Sequence, residues 1–401
     1  MAHSFPQQRI VIVGGGSAGL TVAARLRRAG APDVTLIDPA TTHYYQPLWT
    51  LVGGGQADQR STARREQDLI PRGVEWIREA ATGFDPEAGA LTTESGRAVS
   101  YDALVVAPGL QLDFGRVPGL TEALAMAPVS SNYRADLAPR TWELIRNLRS
   151  GTAVFSQPSG PIKCAGAPQK IAYLAADYWR KQGVLDDIRI VLAIPDPAMF
   201  KVPVWAAQLE KIAARYGIEV RLRSELATVD GSARTAEIVD NTSGTKESLS
   251  FDLVHAVPPQ SAPDVIKNSR LAGPDNAFGY VDVDQYSLRH KRFPNVFALG
   301  DVADLPTSKT GAAIRKQAPV VVENLRAVLS GKPPEARYDG YTSCPLVTAR
   351  DKMLLAEFDY QLNPTPTIPF VDTTKERRDM WLLKRYGLPA LYWHGMLTGR
   401  F

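Results

Sequence analysis

The chain has 401 residues, of which 44% are hydrophobic and 22% are charged, and its formal net charge is +4. These values predict a folded protein of two or three domains and exclude a disordered chain. The modest charge argues against a nucleic-acid partner, and two cysteines are too few for a disulfide scaffold or a cysteine-rich zinc site.

The first predicted elements are a strand, a glycine turn, a helix and a second strand between Arg9 and Asp38. The helix has apolar residues at helical spacing and ends at Gly30. A further strand, ALVVAP, ends at Pro108 and Gly109. Alternating strands and helices are typical of an α/β domain with a parallel sheet. We expect no secretory leader before Arg9, and the sequence has no run of 18 apolar residues that would span a membrane.

The pattern restarts near Gly151 and predicts a second unit of the same kind. GTAVFS and DIRIVLAIP are typical of strands, and PQKIAYLAADYWRKQG and WAAQLEKIAARYG are typical of amphipathic helices. The strand NVFALGD, residues 295–301, is predicted to return to the first sheet. The fold class is therefore α/β with two Rossmann-like dinucleotide-binding domains. The first domain is predicted to consist of residues 1–130 and 266–332. The second domain is predicted to span residues 131–265, and a C-terminal region spans residues 333–401.

A phosphate-binding motif follows the first strand. Gly14, Gly16 and Gly19 have the spacing G-x-G-x-x-G, with Gly15 between the first two, and Asp38 ends the next strand. The glycines allow a tight turn and a close approach of a pyrophosphate to backbone N–H groups, and the acid binds a ribose. Strand, helix and acid are all in register, which favours a dinucleotide site over a simple turn.

Two further stretches indicate that the dinucleotide is FAD. VVAPG, which ends at Gly109, resembles the connecting motif of flavoproteins with two dinucleotide-binding domains. FPNVFALGDVAD contains Gly300 and Asp301 and resembles their second flavin-contact motif, in which the aspartate binds the ribitol chain. A helix predicted to begin near Thr310 directs its N-terminus, with Lys309, toward the flavin.

The second unit has no glycine fingerprint after its first strand. QPSGPIKCAG stands there instead, and Pro158 and Pro161 have no N–H to offer a phosphate. We therefore expect this domain to bind no nicotinamide nucleotide. Cys164 lies in the loop, beside Lys163 and before a helix predicted to begin near Pro168, and both features favour a thiolate. A lone cysteine is most often a small buried apolar residue, but a loop rich in Gly and Pro favours a functional one.

The other cysteine, Cys344, lies 180 residues downstream of Cys164. Sequence separation does not report distance. If the two loops converge over the flavin, the thiols form a sulfur relay, and if they do not, each is a spectator.

The C-terminal residues, 375–401, are basic and aromatic, and Pro389 is predicted to divide them into two short helices. Basic residues with interfacial aromatics favour helices that lie on a membrane surface. The alternative is an amphipathic helix packed on the body of the protein or on a second subunit. His394 is predicted to be structural, and we expect no metal site, because no cluster of ligands accompanies it.

Five stretches closely resemble sulfide:quinone oxidoreductases of the mitochondrial type: HYYQPLWTLVGGG, KCAGAPQK, LPTSKTGAA, YDGYTSCPLVT and LAEFDY. The similarity runs through nearly the whole chain. The resemblance implies an FAD enzyme that oxidises hydrogen sulfide, with Cys164 and Cys344 as the redox-active pair on one flavin face. In this family two electrons pass to a membrane quinone, either ubiquinone or menaquinone, and sulfur passes to a small acceptor. Many bacterial members have a third cysteine in the N-terminal half, and its absence here matches the two-cysteine type.

The resemblance also implies roles for residues that no pattern singles out. Gln46 and, through its backbone, Ala81 would contact the adenosine part of FAD, as Asp38 does. Glu122 matches an acid near the cysteines that manages protons, although the sequence is equally consistent with a surface carboxylate at a helix start. The implied location is peripheral, on a bacterial inner membrane or a mitochondrial inner membrane, and a homo-oligomer is left open.

Three alternatives compete with this prediction. The flavoprotein subunit of flavocytochrome c sulfide dehydrogenase carries an export signal and needs a cytochrome partner. A type-II NADH:quinone oxidoreductase needs the second glycine fingerprint, which is missing after residue 156. A flavin-bearing signalling or binding protein would hold FAD without turnover.

Overall fold

The computed structural model of the chain describes residues 8–164 and 166–401, so that one residue of the predicted cysteine loop, 165, lies outside it. The strands are β1 (Arg9–Val13), β2 (Asp33–Ile37), β3 (Thr42–Tyr44), β4 (Ala63–Arg65), β5 (Val74–Ile77), β6 (Ala81–Asp85), β7 (Ala90–Thr93), β8 (Ala98–Ser100), β9 (Ala103–Val106), β10 (Gln111–Leu112), β11 (Val129–Ser130), β12 (Gly151–Ser156), β13 (Ile188–Ile194), β14 (Glu219–Leu222), β15 (Ser224–Asp230), β16 (Thr235–Asp240), β17 (Lys246–Ser250), β18 (Leu253–Ala256), β19 (Gln260–Ser261), β20 (Val296–Ala298), β21 (Thr342–Ala349) and β22 (Lys352–Phe358). The helices are α1 (Ser17–Arg28), α2 (Trp49–Gly53), α3 (Leu120–Met126), α4 (Leu137–Asn147), α5 (Ala167–Gln182), α6 (Pro203–Arg215), α7 (Asp264–Lys267), α8 (Gly311–Leu329), α9 (Arg378–Leu382) and α10 (Leu388–Leu391).

The first sheet has the strand order β20–β9–β1–β2–β5, and all its pairings are parallel. Helices α1 and α8 pack against each other beside it. The predicted unit between Arg9 and Asp38 is confirmed. The predicted return of residues 295–301 to this sheet is also confirmed, because β20 pairs with β9 and places Ala298 opposite Val106. The glycine turn follows β1, which lies at the centre of the sheet, where ligands of this fold bind.

The second sheet has the order β11–β18–β12–β13–β14 and is also parallel. Helix α5 packs on β12 and β13 and is buried around most of its surface, including Tyr173 and Trp179. The second predicted unit is therefore confirmed. Parallel strands buried on both faces are continuously apolar, which is why GTAVFS and DIRIVLAIP have no polar alternation.

A hairpin of β21 and β22 joins the two halves of the molecule. It packs on α5, and its side chains alternate between two hydrophobic cores. Val347 and Met353 belong to the core around the first sheet, whereas Cys344 and Leu346 belong to the core around the second. The period of two along a strand therefore carries Cys344 into the second domain. The division of the chain into four segments stays a prediction.

The C-terminal helices differ from the expectation at Pro389. The helical backbone continues through this residue, with π-helical turns at Leu383–Gly387 and Tyr392–Met396 on either side of α10. Pro389 stands in the first turn of α10, where a missing N–H is tolerated, and the wide turns shift the hydrogen-bond register around it. The prediction of two separated helices was wrong for this reason.

One face of these helices packs on the body of the protein, which confirms that part of the packing alternative. Tyr392, Trp393, Met396 and Leu397 are buried in the core around the first sheet. The other face leaves large apolar side chains exposed: Leu382, Tyr386 and Leu391. Within residues 8–164 and 166–401, no helix is both long and apolar enough to cross a membrane.

Candidate active site

The two cysteines lie together. The Sγ atoms of Cys164 and Cys344 are 3.3 Å apart, and both thiols are free. Cys344 stands on β21 opposite Ala356 and is 1% exposed. The convergence that sequence separation left open is therefore present, and the thiols can form and break a bond to each other after a small movement.

Hydrogen bonds fix the backbone of Cys164 in a strained conformation. Its φ is +52°, in the left-handed region, which costs a non-glycine residue about 1–3 kcal/mol. Its N–H donates to the carbonyl of Lys309 at 2.8 Å, and its own carbonyl accepts from the N–H of Ala167 at 2.7 Å. The Tyr133 hydroxyl donates to the carbonyl of Lys163 at 3.1 Å. These contacts hold the thiol toward Cys344.

Gly166 allows the two sulfurs to approach. A Cβ atom at this position would lie 2.9 Å from Cys344 Sγ and would collide with Leu346. The glycine that follows the cysteine in the loop is therefore a packing requirement of the pair.

Buried lysines surround the sulfurs. Lys170, on α5, is 2% exposed, and its Nζ donates to Cys164 Sγ at 3.1 Å. Lys384, in the C-terminal helices, is 3% exposed and donates to the carbonyl of Pro47 at 3.0 Å. An ammonium group 3.1 Å from a sulfur favours the anionic form of that sulfur, and the charge of Lys384 acts on Cys164 in the same direction.

The two thiols differ in acidity. The hydrogen bond from Cys344 S–H, followed by the charge of Lys170, holds the pKa of Cys164 well below its usual range. The same hydrogen bond, followed by burial, raises the pKa of Cys344 well above its usual range. Of the two thiols, Cys164, which lies beside Lys170, is therefore the one that loses its proton more readily.

The lysines also differ. Burial, followed by the neighbouring charge of Lys170, lowers the pKa of Lys384 to about 7. Burial lowers the pKa of Lys170, but the charges and hydrogen bonds of the two cysteines together outweigh burial and raise this pKa overall. Lys170 is therefore the permanent cation beside the sulfur, and Lys384 titrates near neutral pH.

The glycine turn after β1 has the shape of a dinucleotide cradle. Gly14 has φ +103°, and a Cβ atom on it would collide with the carbonyl of Ala107. A Cβ atom on Gly19 would collide with the carbonyl of Gly14, whereas Gly16 has open space in front of it. The turn requires glycine where the chain packs on itself and is open where a pyrophosphate would lie.

Asp38 stands where a ribose-binding acid is expected. Its carboxylate accepts hydrogen bonds from the N–H groups of Gly15 and Ala40. Gly109 follows β9 with φ +77°, and Ala81 is the first residue of β6. The Gln46 side chain accepts a hydrogen bond from Lys163 Nζ at 2.7 Å, so it faces the cysteine loop.

The second predicted flavin motif lies directly against the cysteine loop. Gly300 donates from its N–H to Gln317 Oε1 at 2.9 Å, and burial raises the pKa of Asp301. Lys309 Nζ donates to the carbonyl of Asp301 at 2.7 Å. Helix α8 begins at Gly311, as predicted, with Thr310 as its cap. The backbone N–H of Cys164 donates to the carbonyl of Lys309, so one hydrogen bond joins the cysteine loop to the segment between the second flavin motif and α8.

Comparison with known proteins agrees with this geometry. Residues 8–322 match the pyridine nucleotide-disulphide oxidoreductase family. The mitochondrial sulfide:quinone oxidoreductase of Dictyostelium discoideum is 42% identical over 396 residues, covering 98% of this chain and 86% of that protein. The mouse protein of the same name is 40% identical, covering 97% of this chain and 86% of that protein. The chain belongs to the sulfide:quinone oxidoreductase family.

A solved structure shares the fold. The sulfide:quinone oxidoreductase from Aquifex aeolicus superposes with a TM-score of 0.82 at 21% identity, covering 98% of this chain and 92% of that one. Members of the pyridine nucleotide-disulphide oxidoreductase family are flavoproteins, and the glycine turn and Asp38 fit a flavin nucleotide. Among residues 8–164 and 166–401, no group of three or more His, Cys, Asp or Glu side chains could hold a metal ion.

Glu122 lies apart from the hydrogen bonds described above. It is exposed in the first turn of α3, which packs on β11 and β15. In the described part of the chain its carboxylate makes no hydrogen bond and no ion pair. Its role near the cysteines stays a prediction.

The sequence analysis did not single out two lysines of the candidate site, Lys170 and Lys384. Lys170 lies within KCAGAPQK, one helical turn into α5 and six residues after Cys164, and that spacing was a usable signal. Lys384 is one basic residue among several in the C-terminal helices. Only the fold distinguishes it, because it is the one buried against Pro47.

Proposed function

We propose that the protein is an FAD-dependent enzyme that oxidises sulfide through Cys164 and Cys344. Two electrons pass to a membrane quinone, and sulfur passes to a small acceptor. The observation that carries the proposal is the 3.3 Å separation of the two sulfurs, with an ammonium group 3.1 Å from one of them. Three mitochondrial sulfide:quinone oxidoreductases at 38–42% identity support it.

The chain's own residues are arranged to hold FAD. The glycine turn would bind the pyrophosphate, Asp38 the ribose and Asp301 the ribitol chain, with Gln46, Ala81, Gly109 and Lys309 completing the site. When bound, FAD supplies the acceptor for an electron pair and passes that pair to the quinone.

The first chemical step is thiol–disulfide exchange. In the oxidised enzyme the cysteines are joined through sulfur, and the simplest such form is a disulfide. Hydrosulfide attacks the sulfur of Cys344, so that one S–S bond forms and the bond to Cys164 breaks. The products are a persulfide on Cys344 and a thiolate on Cys164. Cys164 is the better leaving group because its pKa is the lower of the two.

The remaining steps remove the sulfur and two electrons. A nucleophilic acceptor attacks the outer sulfur of the Cys344 persulfide, takes it, and leaves Cys344 reduced. The Cys164 thiolate and the Cys344 thiol then form their bond again, releasing one proton and two electrons, for which bound FAD would be the acceptor. Each cycle therefore converts one sulfide to sulfur of oxidation state zero and reduces one quinone.

The quinone is water-insoluble, and the C-terminal helices offer a surface on which to receive it. Leu382, Tyr386 and Leu391 are exposed on the face opposite the buried one, near Arg385. Apolar and aromatic side chains beside basic ones bind the headgroup region of a bilayer. This supports peripheral attachment to a bacterial or mitochondrial inner membrane, with the region 333–401 as the docking part.

Anaerobic mixing with sulfide tests the proposal directly. We expect sulfide to bleach the flavin absorbance of the purified protein, and a short-chain quinone to restore it. Steady-state reduction of that quinone should require sulfide. Bleaching by NADH but not by sulfide would instead support the type-II NADH oxidoreductase, and a flavin that neither reagent reduces would support the binding protein.

The pH dependence should report Lys384. Because its pKa is lowered to about 7, its charge is present below pH 7 and lost as the pH rises through that value. We expect the ratio of kcat/KM for sulfide between the wild type and Lys384→Gln to be about tenfold below pH 6 and to approach one above pH 8. Taking the ratio cancels the titration of sulfide itself. A ratio that does not change with pH contradicts the assignment.

A further inference from the structure

Four polar side chains form a buried chain beneath the glycine turn. Ser17 Oγ lies 2.7 Å from the hydroxyl of Tyr392, and that hydroxyl lies 2.5 Å from His43 Nε2. His43 Nδ1 lies 3.2 Å from Glu66 Oε2. All but Ser17 are less than a tenth exposed, with Glu66 at 1%. The chain joins the start of α1 to the C-terminal helices.

One assignment of protons satisfies these contacts. In this assignment His43 Nδ1–H donates to Glu66, and His43 Nε2 accepts from the hydroxyl of Tyr392, which in turn accepts from Ser17. One carboxylate oxygen of this group of side chains has no hydrogen-bond donor in this assignment. Glu66 Oε1 is buried and has no hydrogen-bond partner within the described residues. Burying a carboxylate oxygen without a hydrogen-bond donor costs free energy. We therefore expect a bound ligand to supply the donor.

The unpaired oxygen is directed at the glycine turn. A Cβ atom on Gly15 would lie 2.9 Å from Glu66 Oε1 and 3.1 Å from the carboxyl carbon of Asp38. Two carboxylates therefore flank one glycine, at the place where a dinucleotide would bind. Two neighbouring acceptors match a ligand that has two neighbouring donors, and the vicinal hydroxyl pair of a ribose is such a group.

We propose that Glu66 is a second carboxylate of the flavin dinucleotide site and accepts a hydrogen bond from the adenosine ribose beside Asp38. His43 and Tyr392 are positioning residues, which hold the Glu66 carboxylate in place. The inference rests on the proposed function only in requiring that FAD binds at this turn.

The arrangement couples the cofactor to the C-terminal helices. Tyr392 belongs to these helices and packs on Tyr45, with ring centroids 4.5 Å apart. If its hydroxyl helps to hold Glu66, docking of the helices strengthens FAD binding. By linkage, FAD must then strengthen docking of the helices by the same factor.

Release of FAD from the holoenzyme measures the effect. We expect Glu66→Gln to release FAD about tenfold faster than the wild type, and Tyr392→Phe to release it severalfold faster, as the fluorescence of free FAD reports. Tyr392→Phe keeps the ring and its packing. Tyr386→Phe, in the same helices but exposed, is the matched control and should not differ from the wild type.

The double variant separates positioning from general destabilisation. If Tyr392 acts through Glu66, then Tyr392→Phe should change the release rate little once Glu66→Gln is present. Protease cleavage within residues 378–401 should also be slower with FAD bound than without it, and this protection should be smaller in Tyr392→Phe. Additive effects of the two substitutions, or release rates equal to that of the wild type, would overturn the inference.

Failure of the proposed function would be distinct. A flavin-containing wild type without sulfide-dependent quinone reduction would contradict the proposed reaction and leave the release rates to decide the role of Glu66. A wild type that binds no FAD would contradict both.

Discussion

Cys164→Ser is expected to lower sulfide-dependent quinone reduction by roughly 10³-fold or more, because a hydroxyl can neither form the sulfur bond to Cys344 nor leave as a thiolate. The glycine turn that we propose to hold FAD is untouched, so the variant should keep its flavin spectrum. The measurement is the steady-state rate with a short-chain quinone, together with the flavin content of the purified protein.

Cys344→Ser is the companion variant. It should lose activity to a similar degree, because each thiol supplies one half of the bond that is made and broken. A Cys344→Ala variant also removes the S–H donor that most lowers the pKa of Cys164, so alkylation of its Cys164 by iodoacetamide should require a higher pH than in the reduced wild type. Activity of either variant within tenfold of the wild type would exclude the sulfur relay.

Lys170→Met is expected to have the second largest effect. Its Nζ is 3.1 Å from Cys164 Sγ, and removing the cation from a buried thiolate must raise the pKa of Cys164. We expect the rate at neutral pH to fall about tenfold or more, and the rate should recover in part as the pH rises. The pH dependence of iodoacetamide labelling of the reduced enzyme provides an independent measurement.

Lys211→Met is a suitable control for this variant, because Lys211 is an exposed lysine on the neighbouring helix α6. It should leave both the activity and the labelling curve unchanged. If Lys170→Met lowers the rate but leaves the labelling curve in place, the ammonium group acts on another step and not on the Cys164 thiolate.

Much of the architecture could be predicted because its signals are local. The glycine turn, the apolar strands and the helical spacing of α1 and α5 each lie within a single short stretch. The return of β20 to the first sheet was predictable because Gly300 and Asp301 follow it in a recognisable motif. Pro389 was misjudged because π-helical turns, which have no clear sequence signature, let the helix pass through it.

The site residues could be predicted only where the neighbouring residues in the sequence are themselves unusual. Cys164 stands in an unusual loop, but the approach of Cys344 depends on how β21 packs against α5, and no sequence spacing encodes that contact. Lys384 and Tyr392 are still harder to predict from the sequence. Both belong to a segment whose composition predicts a surface, and the fold buries them beneath residues more than 300 positions earlier in the chain.

The split of the first sheet has a consequence for synthesis of the protein. β9 ends at Val106, and its partner β20 begins at Val296, 190 residues later. At a translation rate of about 5–20 residues per second, β20 is synthesised roughly 10–40 seconds after β9, and one edge of β9 has no partner strand until then. During this interval one edge of an apolar strand has unpaired backbone groups, and such an edge favours aggregation of the nascent chain. Asp301 and α8 leave the ribosome only after β20, so the proposed FAD site is complete only then.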